Sequence, residues 1–221
     1  MMASVNESAH ENMLRRQIRP WNVLDPRVLE VLEEIPRACF VPERYRNLAY
    51  ADLQLPLDHG EVMMEPRVEA RMLQELDPQP GEQALEIGTG SGYVAACLAH
   101  LCDRVTTIEL NAELLQQARN RLAGLAGSER ISIEQGDAAD GWEDGQHYDV
   151  IAVTGALPEL HYGFHHALTI GGRLFVIVGT DPIMEALRIT RTGDNAWQTS
   201  SLFDAAIPPL RGTRTRATFK L

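Results

Sequence analysis

The segment Glu86-Ile87-Gly88-Thr89-Gly90-Ser91-Gly92 sets three alternating glycines between an apolar run, residues 84–87, and a helical pattern, residues 93–101. Glycines permit positive φ and let a ligand approach the main chain closely. Strand, turn and helix in that order are the context a ligand-binding turn demands. The spacing is not G-x-G-x-x-G, because from Gly88 the third glycine would fall on Tyr93. No GK[ST] follows, so neither a dehydrogenase fingerprint nor a P-loop fits. Glu109 stands at the end of the next apolar run, residues 104–110, where a carboxylate accepts from both hydroxyls of a ribose. Asp137, within Gly136-Asp137-Ala138, ends a third run, residues 131–135, and is placed to accept from an adenine amino group. Any one of these acids alone reads as a solvated surface group. At the carboxyl ends of successive strands they mark the ligand crevice of an open α/β sheet, and a nucleoside is the ligand they suit.

The elements that position these residues follow from patterning. Beyond Pro78-Gln79-Pro80-Gly81, the clearest punctuation in the chain, strands alternate with helices. Strands are expected at 84–87, 104–110, 131–135, 148–154 and 172–179, with helices at 93–101 and 113–125. The runs 148–154 and 172–179 are apolar throughout, as in strands covered on both faces. Residues 187–192 and 197–207, separated by Gly193-Asp194, read as a closing antiparallel hairpin. The fold class is therefore α/β, a Rossmann-like, mostly parallel sheet with helices on both faces. Before Pro78 the pattern is helical with interruptions. Residues 6–19 end at Pro20, Asp25-Pro26 opens a helix over 27–35, and Glu65-Pro66 opens another over 67–76. Residues 53–60 read as loop. The expected division is a helical N-terminal cap with its loop, 1–80, and a sheet domain, 81–221, in one compact unit.

Composition narrows the classes of function. The chain has 221 residues with 31 acidic against 20 basic side chains, a formal net charge of -11. That balance disfavours non-specific nucleic-acid binding and attachment to anionic membranes, both of which need basic patches. No apolar run is long enough for a transmembrane helix, and the N-terminus lacks the features of a signal peptide. Cys39, Cys97 and Cys102 are odd in number and show no CxxC spacing, so a disulfide framework is not expected and a cytoplasmic location is. His161 and His165 are four apart, but Gly163 between them weakens a helix and no third ligand is near in sequence, so no metal site is expected. His59 reads as a loop histidine, and Trp21, Trp142 and Trp197 as packing residues.

With those residues in view, E-I-G-T-G-S-G, the later acid and G-D-A together resemble the cofactor motifs of class I S-adenosylmethionine-dependent methyltransferases. More narrowly, the chain resembles the protein-L-isoaspartate O-methyltransferase family. Matching blocks are Gln17-Ile18-Arg19-Pro20, Asp25-Pro26-Arg27-Val28-Leu29, Phe40-Val41-Pro42-Glu43, Leu48-Ala49-Tyr50-Ala51-Asp52 and Leu55-Pro56-Leu57. The match continues through residues 85–93, Val153-Thr154, Leu157-Pro158-Glu159 and Gly171-Gly172-Arg173-Leu174. The resemblance implies S-adenosyl-L-methionine held by Glu86, Gly88, Thr89, Gly90, Ser91, Gly92, Glu109, Leu110, Gly136, Asp137, Ala138 and Thr154. It also implies a methyl acceptor that is a carboxylate on an aged peptide. It says nothing of oligomeric state.

One block departs from the family. The pattern Gln-Thr-Ile-Ser-x-Pro is replaced by Glu61-Val62-Met63-Met64-Glu65-Pro66, so Val62 and Met64 stand where hydroxyls are kept, the second of them assigned a catalytic role. An ionised carboxylate needs no general base to accept a methyl group, so this loop bears on orientation rather than on proton transfer. Met63 and Met64 suggest an apolar, adaptable wall, and Glu61 and Glu65 add negative charge. Arg67 and Arg71, four apart on one helix, are the candidate carboxylate binders. The expected activity is methyl transfer to an isoaspartyl or related carboxylate, peptide or small molecule. The alternatives are a different small-molecule acceptor on the same scaffold and a non-catalytic cofactor-binding homologue.

Overall fold

The computed structural model describes residues 2–213. The N-terminal helix α1 (Met2–Met13) runs into a π-helical turn, Leu14–Ile18, and a 3-10 turn, Arg19–Trp21, that ends at Asn22 with φ 59°. Proline at position 20 has no N–H to continue an α-helix. Helix α2 (Pro26–Glu34) is capped by the Asp25 carboxylate, which accepts from the Arg27 amide at 2.8 Å, and it buries Val28, Val31 and Leu32. Within the stretch expected to be loop, β1 (Leu55–Pro56) pairs antiparallel with β2 (Val62–Met63). Helix α3 (Pro66–Leu76) buries Val68, Met72, Leu73 and Leu76, the expected stripe, together with Glu69, which was not expected there.

The main sheet has seven strands in the order β5-β4-β3-β6-β7-β8-β9. These are β3 (Gln83–Ile87), β4 (Arg104–Glu109), β5 (Ile131–Gln135), β6 (Tyr148–Leu157), β7 (Leu168–Thr180), β8 (Ile183–Gly193) and β9 (Ala196–Asp204). The pairs among β3 to β7 are parallel, and β8 and β9 join antiparallel. Helices α4 (Tyr93–Leu101), α5 (Ala112–Leu122) and α6 (Tyr162–His166) fill the crossovers. Helix α5 stops short of residue 125 because Gly124 turns the chain at φ 85°. Strands β6 to β8 run longer than the apolar cores that announced them.

Side chains alternate across the strands and sort into two cores. Ala84, Val150, Ala152, Phe175 and Ile177 face α2 to α5. Leu85, Ile87, Ile151, Val153, Leu174 and Val176 face Phe164 of α6 and the Ala138–Trp142 turn. The first core runs without a break from Met13 in the cap to Ile177 in the sheet, so cap and sheet share one interior. Chain order reverses between β3 and β6, which opens a crevice at their carboxyl ends.

Candidate active site

The glycine turn lies in that crevice. Gly88, Gly90 and Gly92 take φ of 95°, 51° and 88°. A side chain at Gly88 would bring its Cβ to 2.5 Å from Thr154 Oγ1, which donates to the carbonyls of Ile87 (2.9 Å) and Gly88 (2.6 Å). The amides of Gly88 and Thr89 both donate to the Ile108 carbonyl, at 2.9 and 3.2 Å, tying the turn to β4. At the end of β4 the Glu109 carboxylate accepts from the Gly90 amide and the Asn111 amide, both at 2.9 Å. Asp137 accepts from the Ala139 amide at 3.1 Å, so both acids are aimed by main-chain donors. Gly136 is glycine because the Trp142 ring packs where a Cβ would stand, 2.5 Å away. Gly88, Gly90, Glu109, Leu110, Gly136, Asp137, Ala138 and Thr154 line one cleft of about 750 Å³ including its open mouth, whereas Thr89 and Ser91 line a smaller cavity beside it and Gly92 lines neither.

Glu86 sits deeper. It is 1% exposed, and burial pushes its carboxyl up to about 8, with the nearby Glu109 charge adding to the shift against a lowering hydrogen bond. That bond comes from Thr107 Oγ1 at 2.5 Å, and Thr107 also pairs with the Thr89 hydroxyl at 2.6 Å. Glu86 Oε1 is buried with no partner among the described residues. Glu86 lines a small cavity together with Val62, Met63, Met64, Glu69 and Tyr93. There the glycine turn and the loop of β2 face each other.

The loop itself is held from below. Met63 and Met64 are buried, and Arg37, fully buried, donates to the Met64 carbonyl and to Glu69, at 3.1 Å from its Nε. The Arg37 guanidinium lies 5.6 Å from the Tyr93 ring centroid. Burial raises the Glu69 carboxyl to about 7 even with Arg37 beside it. Glu65 accepts from Gln54 at 3.3 Å. Arg67 pairs with Asp52 at 2.8 Å and lies over the Trp21 ring, while Arg71 pairs with Glu75 at 2.9 Å and donates to the Trp21 carbonyl. Neither guanidinium lines the cleft or the small cavity.

A protein-family model described as protein-L-isoaspartate(D-aspartate) O-methyltransferase matches residues 8–213. The chain belongs to the protein-L-isoaspartate O-methyltransferase family. It is 41% identical over 203 residues to protein-L-isoaspartate O-methyltransferase 1 of Rhodopseudomonas palustris, covering 91% of this chain and 82% of that one. It is 37% identical over 211 residues to the Herpetosiphon aurantiacus protein of the same name, covering 96% and 93%. Among solved structures it resembles a Plasmodium falciparum chain that carries the family name and was crystallised with S-adenosyl-L-homocysteine. The TM-score is 0.78 at 21% identity, with 93% and 98% of the two chains covered, which is a likeness of fold.

Against the protein-L-isoaspartate O-methyltransferase pattern, the departure at Val62 and Met64 is the main feature of this site, and sequence reasoning missed four of its parts. Arg37 and Glu69 support the loop from residues distant in sequence, and nothing in their local pattern marks them. Thr107 had a faint signal, a hydroxyl inside an apolar strand. The fourth part is the segment after β9, where the main chain of Pro208 and Leu210 bonds both sides of Ala156 at 3.0 and 2.9 Å. This lays Ile207 to Arg211 along the cleft, and Arg211 reaches across to Glu61 and the His59 carbonyl. His59 itself pairs with Glu113 at 2.8 Å rather than with backbone. His165 bonds the His161 carbonyl at 3.3 Å, and no group of metal-ligating side chains occurs among the described residues.

Proposed function

We propose that this member of the family is an S-adenosyl-L-methionine-dependent O-methyltransferase acting on the free carboxylate of an L-isoaspartyl residue. The observation that carries the reading is the convergence of the glycine turn, Glu109 and Asp137 on one cleft that opens against the β2 loop. Its donors and acceptors fit that cofactor. Glu109 suits the ribose hydroxyls, Asp137 and the exposed Leu110 suit the adenine, and the orphaned Glu86 Oε1 suits an ammonium group. Bound there, the cofactor supplies an electrophilic methyl group on a sulfonium.

What remains for the chain is geometry. The acceptor carboxylate is ionised at neutral pH, so no residue has to remove a proton. The residues lining the cleft and the small cavity would set an acceptor oxygen beside that methyl group. Holding the two reactants at attack distance is worth most of the acceleration such a step needs. Val62, Met63 and Met64 give the small cavity beside the turn an apolar wall.

The free Cys39, Cys97 and Cys102 suit a reducing, cytoplasmic setting, and no helix among the described residues is long and apolar enough to cross a membrane. A small apolar acceptor would be favoured by Met63 and Met64 alone, whereas the names of relatives matching nine-tenths of the chain support the peptide carboxylate. Transfer of labelled methyl from S-adenosyl-L-methionine to an isoaspartyl peptide, with the aspartyl isomer as control, tests the reading. Base-labile label on the isoaspartyl peptide alone is expected. Equal labelling of both peptides, or none, overturns it.

A further inference from the structure

Resting on that reading, one question is which group receives the acceptor's carboxylate when the loop offers no hydroxyl. The side chains of Val62, Met63 and Met64 supply no donor, Glu65 is taken by Gln54, and Arg67 and Arg71 are engaged outside the cleft. The side chains lining the cleft carry three carboxylates, Glu61, Glu109 and Asp137, and one cation among the described residues, Arg211. An anionic acceptor therefore enters a cleft whose described side chains are negative but for Arg211.

Arg211 lines the cleft beside Glu61 and Val62 of the loop, and the residue after it, Gly212, lies against the Asp137 carboxylate. Its chain segment is fixed by the Ala156 hydrogen bonds, and its side chain meets the loop leading into β2 at His59 and Glu61. Its Nε donates to Glu61 and its Nη2 to the His59 carbonyl. The side chain is 56% exposed, and Nη1 makes no hydrogen bond among the described residues. A guanidinium presents five N–H donors in a rigid plane, so one edge can hold Glu61 while the other receives a second carboxylate.

We propose that Arg211 binds the acceptor's carboxylate, taking over the orienting contact that the loop hydroxyl makes in the family pattern. Glu61 is its counter-ion. By sharing the guanidinium it weakens the hold on the acceptor and leaves the acceptor oxygen free enough to attack. Glu61 stands where the pattern Gln-Thr-Ile-Ser-x-Pro has a neutral glutamine.

Steady-state methylation of an isoaspartyl peptide decides the matter, using wild type, Arg211→Gln, Arg211→Lys and Glu61→Gln. A hydrogen-bonded charge contact predicts that Arg211→Gln raises KM about ten- to a hundredfold. Its kcat stays within about threefold, and S-adenosyl-L-homocysteine affinity by calorimetry is unchanged. Arg211→Lys recovers part of the loss, and Glu61→Gln lowers KM. Salt raises the wild-type KM and does not raise that of Arg211→Gln, whose described cleft side chains keep only carboxylate charges. The methyl ester product, which has lost the charge, inhibits wild type and Arg211→Gln alike. An unchanged KM in Arg211→Gln, or a loss confined to kcat and cofactor affinity that Lys does not rescue, overturns the assignment. So does a rise in KM for Glu61→Gln. Absence of turnover by the wild-type protein overturns the isoaspartyl reading along with it, whereas turnover with an indifferent Arg211 overturns only this one.

Discussion

The two walls of the cleft are built by different means. On the cofactor wall, Glu109 accepts from the Gly90 and Asn111 amides and Asp137 from the Ala139 amide, while Glu86 is held by the Thr107 hydroxyl of the neighbouring strand. On the acceptor wall, the β2 loop rests on a buried arginine 27 residues away, and its outer side is tied by an arginine 150 residues away. A wall held by its own backbone tolerates little variation in sequence, and glycines with positive φ record that demand. A wall held by distant side chains can exchange the residues it displays while keeping its position. That is why Met64 can occupy a place where the family keeps serine without disturbing the turn opposite.

The largest effect is expected from breaking the support of the acceptor wall. Arg37→Met leaves Glu69 buried without its partner, and losing one member of a buried pair costs about 3–5 kcal/mol. Glu69 is raised to about 7 with Arg37 beside it and higher without it, so the loss should be greater at pH 8, where the wild type keeps an ion pair and the variant must bury a lone charge or take up a proton, than at pH 5, where Glu69 is neutral in both. Urea denaturation at the two pH values reads this directly. Equal midpoints for wild type and variant at pH 8 would mean that the pair holds nothing.

Next in size is the converse change on the cofactor wall. Gly88→Ala places a Cβ at positive φ and against Thr154 Oγ1, which is fixed by two carbonyls. Affinity for S-adenosyl-L-homocysteine should fall about ten- to a hundredfold, on the scale of one or two displaced hydrogen bonds. Thermal stability should change less than in Arg37→Met. Calorimetry showing full affinity would break the contrast between a rigid and a replaceable wall.

A third, smaller effect concerns the group that joins the walls. With its carboxyl raised from 4.5 to about 8, Glu86 is neutral in the folded protein across a range where the unfolded chain ionises. The folded state then binds more protons, so the stability Glu86 contributes is full below about pH 4.5 and declines as pH rises towards 8. Glu86→Gln should flatten that decline, gaining on wild type as pH rises from 5 to 8. Denaturation at four pH values with no change in slope would show that Glu86 is ionised when folded.

The same contrast explains what could be read from the sequence. The succession of strands along the chain, the antiparallel ending and the turn were legible because period and glycine spacing are local, whereas the order of the strands in the sheet was not read. Glu109 and Asp137 were found because strand ends can be located, although their aiming amides could not. Arg37, Glu69 and Arg211 were invisible, since a charge one to three residues past Pro36, Pro66 or Pro209 looks like any other surface charge until the chain is folded. Arg67 and Arg71 show the opposite failure. Helical spacing put them on one face, but the face was that of Trp21 and not of the cleft.

The smallest effect on catalysis is expected from restoring the family residue. Met64 is 3% exposed and fills the space between β2 and the glycine turn. Met64→Ser therefore opens a void, with a stability cost of about 2 kcal/mol or more. Its new hydroxyl stands beside buried Glu86 and Glu69, two ready acceptors that compete with any substrate for it. If Arg211 orients the acceptor, kcat/KM on an isoaspartyl peptide should move by less than about threefold, within what a neutral hydrogen bond contributes net. A rise of tenfold or more would place orientation back in the loop, and the acceptor wall would prove as constrained in its displayed residues as the cofactor wall is in its glycines.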